Sequence, residues 1–268
     1  MRRAATALAA LGLACAPALR SRAPGAPPAA SPAPAPQAGS ADELLAEARQ
    51  HLARRAEPGE AGQAEQLFLA AAQQAPDAVE GLYGAIQARI WRIDHDAGVD
   101  RAALSSAAVE AGQACLERAP ESAVCHYGLA LALGVQARER RSTARDGLRK
   151  MVEHLRTAAQ RDPALDQAGP HRVLALVLAR APAWPVGPGD PDGAVEAARR
   201  AVQLAPDYPP NPLALAEALL AAGHAGEARS AAERGLALAR ARPGDPEAQG
   251  WVKQGEALLA RVGAGSRS

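Results

Sequence analysis

Residues 64–76, Ala-Glu-Gln-Leu-Phe-Leu-Ala-Ala-Ala-Gln-Gln-Ala-Pro, decide how this chain folds. Ala64, Phe68 and Ala71 recur at spacings of four and three, which places them on one face of a helix. Pro76 stops that helix, because proline has no backbone donor and its ring clashes with the preceding turn. The same closure, a small residue followed five positions later by proline, returns at Cys115–Pro120, Ala158–Pro163 and Ala201–Pro206, with a looser stop at Pro243. Successive prolines lie 44, 43, 43 and 37 residues apart. A period in this range means stacked helix pairs, each able to bury its apolar face only against the next. The pattern predicts an all-α solenoid over residues 41–263: a right-handed superhelix of about five helix pairs, closed by a capping helix near Glu247 to Val262 and followed by a disordered tail at 264–268.

Composition points the same way. Aromatic residues make up only 3 % of the chain while Ala dominates its apolar share, which favours closely approaching helices over a sheet of β-branched and aromatic residues. With 30 Lys and Arg against 29 Asp and Glu, no overall field draws in nucleic acid or an anionic surface from a distance, so any charged partner is met locally.

The first 15 residues read as a processing segment. Arg2 and Arg3 form a positive start, and Ala4–Ala14 is an apolar run too short to span a bilayer. Leu11-Gly12-Leu13-Ala14-Cys15 resembles a bacterial lipobox, which implies lipidation of Cys15; cleavage near Ala16 or Ala18 is the alternative. Residues 16–40 carry seven prolines among Ala, Gly and Ser, the composition of an extended tether. Together these predict an exported chain, in the periplasm or on the outer membrane, that meets the membrane only through its N-terminal lipid.

Ala64, Phe68, Ala71 and Pro76 match repeat positions 20, 24, 27 and 32 of the tetratricopeptide repeat, and Leu215, Ala216, Leu219, Gly223 and Ala228 match positions 7, 8, 11, 15 and 20. The chain therefore resembles that family, which implies a protein-binding scaffold. A standard repeat has about 34 residues. The excess is expected between the paired helices, at Asp94–Asp100, Arg138–Gly147 and Ala181–Asp192, where insertions would build a binding rim. A narrower likeness runs over Glu121–Leu220. Gly169-Pro170-His171-Arg172, the Pro182–Pro191 loop, Gly193-Ala194, Asn211 and Leu215-Ala216-Glu217 are similar to the periplasmic T component of tripartite ATP-independent transporters, with departures at Cys125, Ala132 and Ala175. That resemblance implies a lipoprotein handling a small apolar solute beside a transporter's solute-binding protein.

Cys115 and Cys125 flank Pro120 on two arms of a helical hairpin, and read either as a disulfide or as two small buried residues at helix contacts. Trp184, between Pro182 and Pro185, either folds back as a plug or presents an aromatic ring to a ligand or partner. Arg138, Arg140, Arg141, Arg145, Arg149 and Lys150 leave +4 over 13 residues, with Arg141, Arg145 and Arg149 on one helical face. This stretch is either a solvated surface or a contact for an acidic partner, carboxylate or headgroup. Arg141, Arg145 and Trp184 are accordingly the expected contacts. Asp94-His95-Asp96-Ala97-Gly98-Val99-Asp100 lacks the closing Glu of a calcium loop, because Ser105 stands there, and Asp100 reads as a helix cap. The six His form no metal-ligand pair, and no glycine-rich phosphate loop or nucleophile motif is present, so neither metal, cofactor nor enzymatic activity is expected.

Overall fold

The computed structural model describes residues 39–140 and 144–265. Those residues form eleven helices and no strand beyond one isolated bridge. They are α1 Ala41–Ala53, α2 Glu60–Gln74, α3 Glu80–His95, α4 Arg101–Arg118, α5 Ala123–Glu139, α6 Ala144–Arg161, α7 Leu165–Arg180, α8 Pro191–Leu204, α9 Pro210–Ala221, α10 Ala225–Arg240 and α11 Ala248–Gly265. They pair as five hairpins with α11 as the cap. The cap runs on to Gly265, so residues 264 and 265 are helix and not tail.

The repeat prolines do what their chemistry dictates. α2, α4, α6 and α8 each stop two residues ahead of Pro76, Pro120, Pro163 and Pro206. Starts are set by side chains that accept from orphan amides: Asp100 from Ala103, Ser122 from Cys125, and Asp190 from Gly193. Ser40 makes a capping box with Glu43, which assigns the last tether residues, Gly39 and Ser40, to the folded body.

Each helix packs on the next in sequence, and α1, α3, α5, α7, α9 and α11 also touch one another in order. The second helices of successive pairs make no such contact. A stack whose first helices sit closer together than its second helices must curve, with the first helices on the inside. The core between them is dominated by Ala with Leu and Val between, which keeps helix axes close. In the N-terminal unit the ring of Phe68 lies flush against the α3 backbone at Gly84, where no Cβ would fit.

Cys115 and Cys125 are fully buried and joined by a disulfide across the α4–α5 turn, with 5.3 Å between Cα atoms. Closing a loop of this length contributes on the order of 2–3 kcal/mol.

The insertions differ from expectation. In the second and third pairs part of the excess is helical, since α3 to α6 run 16 to 18 residues: Asp94 and His95 end α3, Arg138 and Glu139 end α5, and 144–147 open α6, whereas 96–100 form the expected turn. Gly98, with φ of 80°, turns the chain between α3 and α4, and ion pairs tie the lengthened ends across neighbours: Arg101 of α4 to Glu139 of α5, and Arg138 of α5 to Asp94 of α3. Only the fourth pair has a long loop, residues 181–190, because Pro182, Pro185 and Pro188 with two glycines forbid helix there.

Candidate functional site

The inner surface of the curve gathers two of the chain's three Trp and one of its three Tyr. Leu52, Ile90, Trp91, Leu131, Tyr208 and Trp251, with Arg55, Asp94, His95, Asp166 and Glu247, line a cavity of about 530 Å³. Trp91 stacks on His95 with ring centroids 3.7 Å apart, and Tyr208 meets Trp251 edge-on at 5.7 Å. The guanidinium of Arg55 lies 4.7 Å from the Trp91 ring centre and pairs with Glu247 at 2.8 Å. Those two residues are 192 positions apart in sequence, so the superhelix turns far enough for its first and last units to meet across the cavity.

The floor of this cavity is a strained turn. Asp166, Gln167 and Ala168 all have left-handed backbone, with φ of 49°, 54° and 63°. None is glycine, and each such residue costs roughly 1–2 kcal/mol. The right-handed helix resumes at Gly169 and Pro170, where proline loses no hydrogen bond because first-turn amides have no helical partner.

Arg172 and Asn211 hold the turn in place. Arg172, 8 % exposed, donates from Nη1 to the carbonyls of Asp166 and Gln167 and to Oδ1 of Asn211, and from Nη2 to Oδ2 of Asp166 at 3.1 Å. Its guanidinium also lies 5.0 Å from the Tyr208 ring centre. Asn211, fully buried, donates to the carbonyls of Gln167, Ala201 and Ala205. Tyr127 donates its hydroxyl to Oδ2 of Asp166 at 2.7 Å. Burial pushes the Tyr127 and Tyr83 phenols well up, and the Asp166 charge adds to this. Burial works against the Arg172 charge, yet Tyr127 and Asp166 outweigh it and hold the guanidinium protonated. Half-exposed Asp166 thus presents a fixed carboxylate to an aromatic-walled space.

A second cavity of about 510 Å³ brings two expected contacts together. Arg145 and Trp184 both line it, and Arg145 donates to the Pro185 carbonyl at 3.0 Å. Trp184 is 85 % exposed and does not plug the solenoid. Arg141 and Cys15, also expected as functional, lie outside the described residues. A larger groove of about 1000 Å³ runs along the outer face between α6 and α8, but it has no aromatic wall and its rim is charged, as in the exposed Arg199–Glu227 pair. That is the pattern of a solvated surface.

Asp100 caps α4, while Asp94 and Asp96 are spent on Arg138 and Arg92. Among the described residues no three His, Cys, Asp or Glu come together as metal ligands.

Residues 186–254 match the family model for the tetratricopeptide repeat. That stretch, and not the rest of the chain, carries the family's pattern. Such proteins are generally non-enzymatic scaffolds that hold other proteins. Among solved structures, a thermophilic tetratricopeptide-repeat protein of Thermus thermophilus is 24 % identical, covering 82 % of this chain and 100 % of that one with a TM-score of 0.61. The structure of MamA follows at 16 % identity, covering 75 % and 93 % with a TM-score of 0.47. No curated protein matches the chain.

The tetratricopeptide pattern located the helices but not the inner site. Trp91, Tyr208 and Trp251 each look like ordinary core residues in sequence. The usable signal was scarcity, since the whole chain has three Trp and three Tyr, three of these six line one cavity and a fourth, Tyr127, bonds the Asp166 carboxylate that faces it. The left-handed turn had no sequence signal, because Asp-Gln-Ala carries no glycine.

Proposed function

We propose that this chain is an exported tetratricopeptide scaffold of the cell envelope, tethered through a lipid on Cys15, which grips a segment of a partner protein on its concave face. The inner cavity carries the reading. Aromatic walls supply apolar contact at low entropic cost, and the strain held at Asp166 is the kind of expense that persists at binding sites. The buried Cys115–Cys125 bond suits an oxidising compartment such as the periplasm. A photo-crosslinking residue at Gln87, which lines the cavity, should capture one protein partner in cells, and Trp91→Ala with Trp251→Ala should abolish that capture. Capture that survives both substitutions moves the site elsewhere. Labelling with a fatty-acid analogue should vanish in Cys15→Ser, and labelling that persists removes the anchor.

A second reading, a solute-handling lipoprotein like the transporter T component with a solute-binding protein as its partner, rests on a separate observation. Gly169, Pro170, Arg172 and Asn211, which carry that likeness, all belong to the turn beneath the cavity. Native mass spectrometry showing a stoichiometric small molecule, lost in Trp91→Ala, is the expected result under this reading; protein that is always empty counts against it.

A further inference from the structure

Trp184 and Val186, at 85 % and 61 % exposure, are the two exposed large hydrophobic side chains among the described residues, and they flank Pro185 on the 181–190 loop. Their exposure is imposed by a built framework. Gly189 donates to the Pro182 carbonyl at 2.8 Å, Asp190 to that of Leu178 at 3.0 Å, and Val186 to that of Ala183 at 3.1 Å. Arg145 adds a clamp from α6 onto Pro185. Beside this tip α6 presents Arg145 and Arg149, both exposed, with the carboxylate of Asp146, which lies 3.7 Å from Arg149.

We propose that this loop is a membrane-contact element that seats Trp184 and Val186 in the interface of an anionic bilayer, with Arg145 and Arg149 meeting its phosphates. Magnitude separates this from a protein contact. A stable protein interface buries about 800 Å² per partner around an apolar centre, and two side chains on a narrow tip do not supply that. Interfacial seating needs only a tip: Trp prefers the headgroup level, and basic residues next to it are drawn to anionic lipid. Arg145 and Arg149 are one helical turn apart, so both guanidinium groups reach the same side as the loop. The envelope reading above would put a bilayer within reach, but the loop's lipid affinity is measured without it.

The test uses the full chain and vesicles of phosphatidylglycerol and phosphatidylethanolamine with bromine high on the acyl chains. Tryptophan emission should be quenched, and Trp184→Phe should keep vesicle binding while losing most of the quenching, since Trp91 and Trp251 line the inner cavity. Trp184→Ser with Val186→Ser should abolish the quenching and weaken binding about tenfold or more. Arg145→Gln with Arg149→Gln should weaken binding roughly fivefold per cation at low salt, and phosphatidylcholine vesicles should reproduce that loss. Circular dichroism identical to the parent keeps these variants interpretable. Quenching that persists in Trp184→Phe, or parent protein that anionic vesicles never quench, overturns the proposal, as does a loop that cross-links to protein without quenching. Positive fatty-acid labelling with an unquenched loop would leave the Cys15 anchor standing and remove this contact alone.

Discussion

In the N-terminal half, Glu65 of α2 takes Arg89 at 2.7 Å and Arg92 beside it, and Arg89 also reaches the Ala107 carbonyl of α4. In the C-terminal half, Arg172 of α7 takes Asp166 together with two carbonyls and Asn211. Both hubs bury an arginine that meets a carboxylate, but the first joins three regular helices whereas the second, whose Asp166 stays half-exposed, holds three left-handed residues. A buried pair between regular helices needs no function beyond registering one helix on the next. A pair that stabilises a costly turn opening on a cavity points to a site, because strain of a few kcal/mol persists only where its surroundings over-determine it. Two outwardly similar charge clusters therefore carry different meanings, and backbone conformation tells them apart.

The largest test removes each arginine. Arg172→Ala removes four hydrogen bonds at once, leaving the Asp166 carbonyl and Oδ1 of Asn211 without this donor, the Asp166 carboxylate held only by Tyr127 and the Gln167 carbonyl only by Asn211, and should cost about 3–5 kcal/mol in urea unfolding. Arg89→Ala leaves Glu65 still paired with Arg92, and should cost about 2 kcal/mol. Equal losses would mean that the turn adds nothing to what Arg172 supports.

Gly→Ala substitutions should differ in sign between the hubs. A Cβ on Gly169 would stand 2.7 Å from Oδ2 of Asp166 and nearer still to the Tyr127 hydroxyl, so Gly169→Ala should destabilise by about 2 kcal/mol. A Cβ on Gly62 of α2 meets nothing closer than Arg92 at 3.8 Å, and there Gly62→Ala should stabilise by about 0.5–1 kcal/mol. Thermal melts of the two variants displaced in the same direction would erase the distinction.

Gln167→Gly tests the strain itself. Gln167 is exposed, so little packing is lost, and glycine adopts its left-handed backbone freely. The variant should gain about 1 kcal/mol, an unusual outcome for glycine placed within a helix boundary. A loss in stability would show that Asp166–Ala168 is not under strain.

This contrast also marks the limit of what the sequence discloses. The helix pairs were legible because a proline two residues past each stop acts locally, and because Ala64, Phe68 and Ala71 repeat with helical spacing. The ends of the lengthened helices, such as Asp94–His95 and Arg138–Glu139, were misread as loop, since only cross-helix pairs such as Arg101–Glu139 and Arg138–Asp94 show that they stay wound. The inner site stayed hidden for a related reason. Arg55 and Glu247 meet only after the superhelix has turned, and no local rule brings residues so distant in sequence together. The left-handed turn depends on Asn211, which lies more than forty residues downstream of it, so its cause is tertiary and not written into Asp-Gln-Ala.

The smallest expected effect concerns pH and again divides the two halves. Burial holds His154 of α6 and His171 of α7 below the usual histidine range, helped by the neighbouring charges of His126 and Arg200 respectively. Nδ1 of His154 lies 2.8 Å from Nδ1 of His126, whose other nitrogen faces the Pro120 carbonyl at 3.0 Å. That bonding admits one shared proton between the rings, and a second would set two N–H groups against each other. Because the folded state resists protonation that the unfolded state accepts near pH 6.5, this stability is complete above that value and falls as pH drops through it. In the N-terminal half, burial works to raise the pKa of Glu60, but hydrogen bonds from His51 and Arg54 outweigh it and leave the carboxyl lowered, so its contribution is lost only below its usual value of 4.5. Hydrogen exchange should therefore quicken in α5–α7 on going from pH 7 to pH 5.5 while α1 and α2 hold their protection. His154→Gln together with His171→Gln should flatten the change in α5–α7, and an undiminished slope in that variant would place the acid sensitivity outside these two rings.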